Sequence, residues 1–418
     1  MTGLLPKALA GALGVCLLGL LACGGPPAPA PVAAPEAPQG PEGSAFWRVP
    51  ATPPDGAQRG DILHVQPRPD VPDDARGWNV VYVTEAATGA LTYVSGEVYA
   101  PLAAGPAERP LAIWNHGTAG SQDSCAPSRN PLAERGARPG GPLTTDADSR
   151  VPALMALLAR GYVVAMSDYQ GLGTPGATEY LNGPTQAMAS LDAARAARTL
   201  VAGTGASVVM YGFSQGGQTS LWAAHLAPDY APDLRLLGVA AIAPAARHLD
   251  LSLYDLDIPQ NAGYFISRMA GLAVGHPDLR LRDVLTPVGL ELLDAQTWDC
   301  FAIFDAAAAL DEPYARPAAL EPGEPWRARL EQNDAFLPIP ATIPVLVDQG
   351  DRDVDVPVHL TRALVADLCA AGSLVEYRQH PDVNHMDMND LAAPLMADWF
   401  DARFRGDAPG STCPPATP

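Results

Sequence analysis

A chain of 418 residues with 26 basic and 46 acidic side chains carries a net charge of −20. That balance argues against a nucleic-acid footprint or a polybasic membrane patch, since both need clustered cations. With 48% hydrophobic and 17% charged residues the chain can bury a sizeable core, and its length suits one large domain with an insertion or two ordinary domains.

Residues 1–7 hold one lysine, and residues 8–22 are apolar and rich in leucine and small side chains. This run is too short to span a bilayer comfortably and ends in small residues, so 1–22 reads as a signal peptide. Its end, Leu20-Leu21-Ala22-Cys23, resembles a bacterial lipobox, which would place a lipid on Cys23 and anchor an exported protein to the cell envelope, at the outer membrane or cell surface. Ordinary cleavage and free secretion is the alternative. Residues 23–44 are Pro/Ala-rich and cannot bury surface, so they form an extended tether, and folding begins near residue 45.

Residues 78–101 alternate apolar and polar side chains and predict a hairpin turning near 87–90. A short apolar strand at 111–115 breaks into His116-Gly117-Thr118. Residues 151–160 have helical periodicity, Gly161 stops them, and 162–166 form a β-branched strand. Helix 187–200, strand 207–211, helix 218–226 and strand 236–242 follow. Alternating strands and helices with continuously apolar strands imply a mostly parallel sheet covered on both faces, the α/β class. Between 245 and 338 the alternation gives way to short helical pieces and prolines, read as a mainly helical cap insertion. Strand 345–347, helix 358–370, strand 374–377 and helix 392–404 then resume it, so 45–244 and 339–418 make one core.

Beyond Cys16 and Cys23 four cysteines remain, and an even number in an exported protein favours disulfides. No CxxC or HExxH spacing accompanies them, so no metal site is expected. Three pairings are open; the one adopted joins Cys125 to Cys300 and Cys369 to Cys413, worth roughly 5 and 4 kcal/mol by loop-closure entropy.

The chemistry concentrates at Gly212-Phe213-Ser214-Gln215-Gly216, a GxSxG motif lying directly between a buried strand and a helix, where a nucleophile elbow must sit. A serine hydroxyl needs a base, and the base an orienting acid. With the chain order serine, acid, histidine, the acid falls just past strand 345–347, where Asp351, Asp353 and Asp355 compete. Asp353 is preferred, Asp351 stands second, and Asp355 is assigned to capping the next helix. The calcium-loop reading of these aspartates fails, because the sixth place lacks glycine and the twelfth holds Arg362. The base is His385, on the loop before the last helix; His380 packs locally, and His359 is a surface residue. The oxyanion donors are the backbone N–H of Gln215 and, from the loop after 111–115, of Thr118. His116 reads as a structural hydrogen-bonder, and Asp168 as the stabiliser of its own turn. Trp298, Phe301 and Phe304 either line an acyl pocket or belong to the core of the insertion.

Taken together, WNHGTAG, DSCAPS, SDYQGLG, YGFSQGGQ, GDRDVDVP, DLCAAGSLVEY and the terminal NH of PDVNH resemble the secretory lipase family, typified by fungal lipases of the lipase A type with bacterial relatives. The resemblance implies an α/β-hydrolase core with a mainly helical cap, no cofactor, and hydrolysis of acyl esters, glycerides included. It maps the serine, acid and base onto Ser214, Asp353 and His385, and supports the Cys125–Cys300 pairing. The expected activity is therefore carboxylic ester hydrolysis of small-molecule or lipid substrates by a monomer, with a peptidase or amidase on the same triad as the alternative.

Overall fold

The computed structural model describes residues 38–103, 105–132, 151–295, 300, 303, 306, 310, 312–334 and 336–414. The leader, Cys23 and most of the tether lie outside these residues, as do Trp298, Phe301 and Phe304.

The first three strands, β1 (Ile62–Arg68), β2 (Ala75–Glu85) and β3 (Leu91–Pro101), form an antiparallel meander, and the β2–β3 hairpin turns where the alternation places it. Then come β4 (Arg109–Asn115), helix α1 (Pro152–Ala159), β5 (Val163–Ser167), α2 (Gly183–Leu200), β6 (Thr204–Phe213), α3 (Gln215–Tyr230) and β7 (Arg235–Ile242). The chain closes with β8 (Val345–Gly350), helix α9 (Val358–Ala370), β9 (Val375–His380) and the last helix α10 (His385–Arg405). Among the described residues one nine-stranded sheet results, ordered β1-β2-β3-β5-β4-β6-β7-β8-β9, in which the pairs from β5 to β9 are parallel.

Both faces of the parallel strands are buried, and their side chains sort by alternation. Ile113, Met210, Ala241 and Val347 face α2, α3 and α9, whereas Ala112, Tyr211, Ile242 and Leu346 face α1 and α10. Each large apolar side chain so buried is worth about 1.5–3 kcal/mol of transfer free energy. Strand β1 is absent from the sequence reading because Pro67 interrupts its pattern. As an outermost strand it tolerates a proline, which removes a donor only where one partner strand is missing.

Between β7 and β8 the described residues form helices: α4 (His248–Leu256), α5 (Ala262–Gly275), α6 (Leu281–Val284), α7 (Pro287–Ala295) and α8 (Pro325–Gln332). They pack around Phe265, Ile266, Met269, Trp326 and Leu330, a core of their own. A smaller cluster of Tyr180, Leu181, Ala245, Leu251, Val356 and Leu360 stitches α4 to the loop after β8. No helix among the described residues is long and apolar enough to cross a membrane.

Disulfides join Cys125 to Cys300 and Cys369 to Cys413. The second ties α9 to the C-terminal tail, which is not free loop: Thr412 N–H donates to Val375 O (2.8 Å) and Thr412 Oγ1 accepts from Tyr377 N–H (3.0 Å), along the outer side of β9. At the opposite end of the sheet Gly40 N–H donates to Val65 O and Val65 N–H to Pro38 O, both at 2.9 Å.

Candidate active site

The centre of the site is the turn from β6 into α3. Ser214 has φ 55° and ψ −115°, a conformation that costs a non-glycine residue on the order of 1–3 kcal/mol. The surroundings impose it: Ser214 N–H donates to Ile242 O of β7 (2.9 Å), and Ser214 O accepts from the N–H groups of Gly217 (2.9 Å) and Ala245 (3.1 Å). A Cβ on Gly212 would stand 1.9 Å from Gly216 O, and one on Gly216 would stand 2.0 Å from Asn115 O. Only glycines let β6, α3 and the end of β4 meet so closely.

His385 opens α10 rather than preceding it, one residue after an Asn384 cap whose side chain accepts from Asp387 N–H. Its Nε2 lies 3.0 Å from Ser214 Oγ and its Nδ1 2.6 Å from Asp353 Oδ2. All three side chains are buried. The Phe213 ring lies tilted against the imidazole, with centroids 4.7 Å apart. Asp353 Oδ1 accepts from the backbone N–H groups of Asp355 (3.0 Å) and Val356 (2.8 Å), and Oδ2 from Gln349 Nε2 (2.9 Å). The exposed Asp351 instead accepts from Asp382 N–H. The loops after β8 and β9 can approach because position 350 has no side chain: a Cβ there would stand 2.2 Å from Val383 O.

Burial alone would pull the His385 imidazole down. The charge and hydrogen bond of Asp353, with a further contribution from Asp355, outweigh it and leave the ring above the usual histidine value of 6.5. Donor atoms of Asp353, Asp355 and His385 lie within 4.8 Å of one another, the only three-donor group among the described residues that could hold a metal. Two of those residues are already bonded to each other.

Gln215 is the first residue of α3, at the positive end of the helix dipole. Thr118 follows Gly117, whose Cβ would touch Phe213, so its loop runs beside the elbow; its hydroxyl lies 2.6 Å from Tyr180 OH. The Tyr180 phenol is pushed up to about 12, mainly by burial, and so remains a donor. Thr118, Ser121, Tyr180, Ser267, Cys300 and Ile303 line a small cleft there.

The flanking assignments divide. His116 is structural, with Nδ1 2.6 Å from Gly117 O and its ring stacked on Tyr169. His380 packs not locally but against the neighbouring strand, with Nε2 2.9 Å from Asp348 Oδ1 of β8, and His359 is exposed. The capping place before α9 is held by Pro357, not by Asp355, which instead stands beside the imidazole because the loop folds back on Asp353. Asp168 does not brace its own turn. It is fully buried and accepts from Ser95 Oγ (2.6 Å) and from Ser128 N–H (2.9 Å), so it binds β5 to β3 and to the loop carrying Cys125. Desolvation, with the nearby charge of Glu97, pushes its carboxyl up to about 6. Sequence reasoning missed Gln349 and Gly350; the second was readable as the glycine that ends a strand, the first carried no signal.

A family model described as secretory lipase matches residues 142–304. Lipase 10 of Candida albicans is 25% identical over 386 residues, covering 85% of this chain and 80% of its own. Lipase 2 of the same yeast is 27% identical over 393 residues, covering 86% and 80%. Among solved structures, Candida antarctica lipase A in its closed state superposes with a TM-score of 0.67 at 20% identity, covering 85% of each chain; at that identity the likeness concerns the fold, an α/β-hydrolase.

Proposed function

We propose that the chain is a carboxylic ester hydrolase of the secretory lipase kind, working by acyl transfer through Ser214, His385 and Asp353. The observation that carries the reading is the hydrogen-bonded row from Asp353 Oδ2 through both imidazole nitrogens to Ser214 Oγ. As Ser214 Oγ attacks the ester carbonyl carbon, His385 Nε2 takes its proton. Asp353 holds Nδ1 protonated and favours the imidazolium that forms. The oxyanion is met by the N–H groups of Gln215 and Thr118. Collapse of the intermediate breaks the C–O bond, and the imidazolium gives its proton to the departing alcohol. A water, deprotonated by His385, then attacks the acyl-enzyme; the carboxylic acid leaves and Ser214 recovers its proton.

The helical segment between β7 and β8 is the cap over this site, and lipid esters are the substrate class, consistent with relatives named lipases. Export by residues 1–22 and lipidation at Cys23 complete the reading, and palmitate incorporation that Cys23→Ala abolishes is its check. The test of the central claim is Ser214→Ala: hydrolysis of p-nitrophenyl esters falls on the order of a million-fold with circular dichroism unchanged. Retained turnover refutes the mechanism.

A further inference from the structure

We propose that Gln349 is a positioning residue for the acid–base pair: it holds the Asp353 carboxylate in line with His385 Nδ1 and draws off part of the charge that the imidazole feels. This rests on the acyl-transfer reading and deepens it.

Gln349 is fully buried near the end of β8. Its Nε2 lies 2.9 Å from Asp353 Oδ2, 3.2 Å from Gly350 O and 3.1 Å from Val356 O. A carboxylate and two carbonyls can only accept, so the end of the amide that faces them must be the donor. The other end is locked: Gln349 Oε1 accepts from Thr361 Oγ1 at 2.8 Å, and Thr361 is itself buried on α9. One amide thereby clamps the strand end, the acid and the loop that follows. It donates to the same oxygen that faces the imidazole, whereas the Asp355 and Val356 N–H groups hold the other one. A donor on Oδ2 competes with Nδ1–H for the same electron density, so Gln349 moderates the pull of Asp353 on the imidazolium.

The neighbours leave few other groups to do this. From the elbow His385 meets Ser214 and the Phe213 ring. From the loop after β8 it meets Asp353 and Asp355. On its own helix Asp387 is engaged by Asn384 Nδ2. On α4, which packs over that loop, Tyr254 OH donates to Val354 O and Asp255 is paired with Arg268.

Replacing the amide by a side chain of similar length and no donor, Gln349→Met, lowers kcat about tenfold, the scale of one hydrogen bond to a charged group, with KM within about twofold. The acid limb of kcat/KM moves to higher pH by about half a unit, because the imidazole now feels more of the Asp353 charge. NMR of the ¹⁵N-labelled His385 ring follows the same shift directly. Thr361→Val keeps the amide but unlocks it, and gives a smaller shift in the same direction should Gln349→Met fold poorly. A melting temperature that falls while the acid limb and the ring titration stay put, or move down, overturns the assignment and leaves Gln349 a merely structural residue. If in the parent enzyme the acid limb does not coincide with the His385 titration, the acyl-transfer reading itself fails. Coincidence in the parent with no movement in the variants sinks only the role of Gln349.

Discussion

Ser214 and the two side chains in line with it are held in place by two different kinds of force. At the elbow the backbone dominates: Ser214 is wedged at positive φ by bonds to β7 and by glycines that let main chain touch main chain. Across the cleft, Asp353 and His385 sit on loops where side chains carry much of the fastening, namely the Asp353 carboxylate, the Gln349 amide and the Asn384 cap, beside the close approach at Gly350 and the backbone bonds from Asp351 N–H to His380 O and Arg352 N–H to Val383 O. A backbone-built site tolerates no added atom, whereas a side-chain-built one degrades by degrees and can be tuned.

Each arm of that contrast can be broken. Asp353→Asn strips the charge from the tuned side and should lower kcat about ten-thousand-fold while the protein stays folded. Its sign on the pH profile is equally definite. On the acyl-transfer proposal the active form has neutral His385, whose ring in the parent sits above 6.5 because Asp353 and Asp355 outweigh burial, so activity should be lost as pH falls through that raised value. With Asp353 neutralised, burial weighs more, and the residual activity should persist to lower pH; a limb that moves up contradicts this account. Gly216→Ala attacks the rigid side, where a Cβ 2.0 Å from Asn115 O has nowhere to go, and should destabilise by about 4 kcal/mol or more in urea unfolding. Gly350→Ala meets Val383 O at 2.2 Å, a backbone oxygen that also accepts from Arg352 N–H (3.0 Å), so the loops carrying Asp353 and His385 must part. It should cost about 2 kcal/mol and show itself more in kcat than in stability. Equal penalties at positions 216 and 350 would erase the distinction between the two arms. Smallest of all, Asn384→Ala removes only the cap of α10, costing about 1 kcal/mol with a modest drop in kcat.

The same contrast governs what the sequence reveals. An elbow dictated by the backbone leaves a local signature, and Gly212-Phe213-Ser214-Gln215-Gly216 between a strand and a helix could be read on sight. The acid and base have no such signature. Asp353 and His385 were separable from Asp351 and His380 through chain order, distance from the strand ends and the family resemblance, and in the structure they are the pair that converges on Ser214. Residues that act through others were invisible. Gln349 looks like any polar strand residue, and Asp168 reads as a turn-former because nothing local announces that it will be buried against Ser95 and Ser128, tens of residues away. Asp355 was misassigned for the same reason, since the fold-back of its loop on Asp353 is a tertiary event. Strand β1 escaped because its proline is harmless only at a border, and a border position is a property of the assembled sheet.

Both borders of that sheet are dressed by extra chain, residues 38–40 along β1 and Thr412 along β9, the latter fastened by Cys369–Cys413. Unpaired rows of amides and carbonyls invite a second molecule to add its own strand, and a dressed border withdraws the invitation. The chain thus guards its sheet from fibrous self-association with a few residues near either end of its described segment.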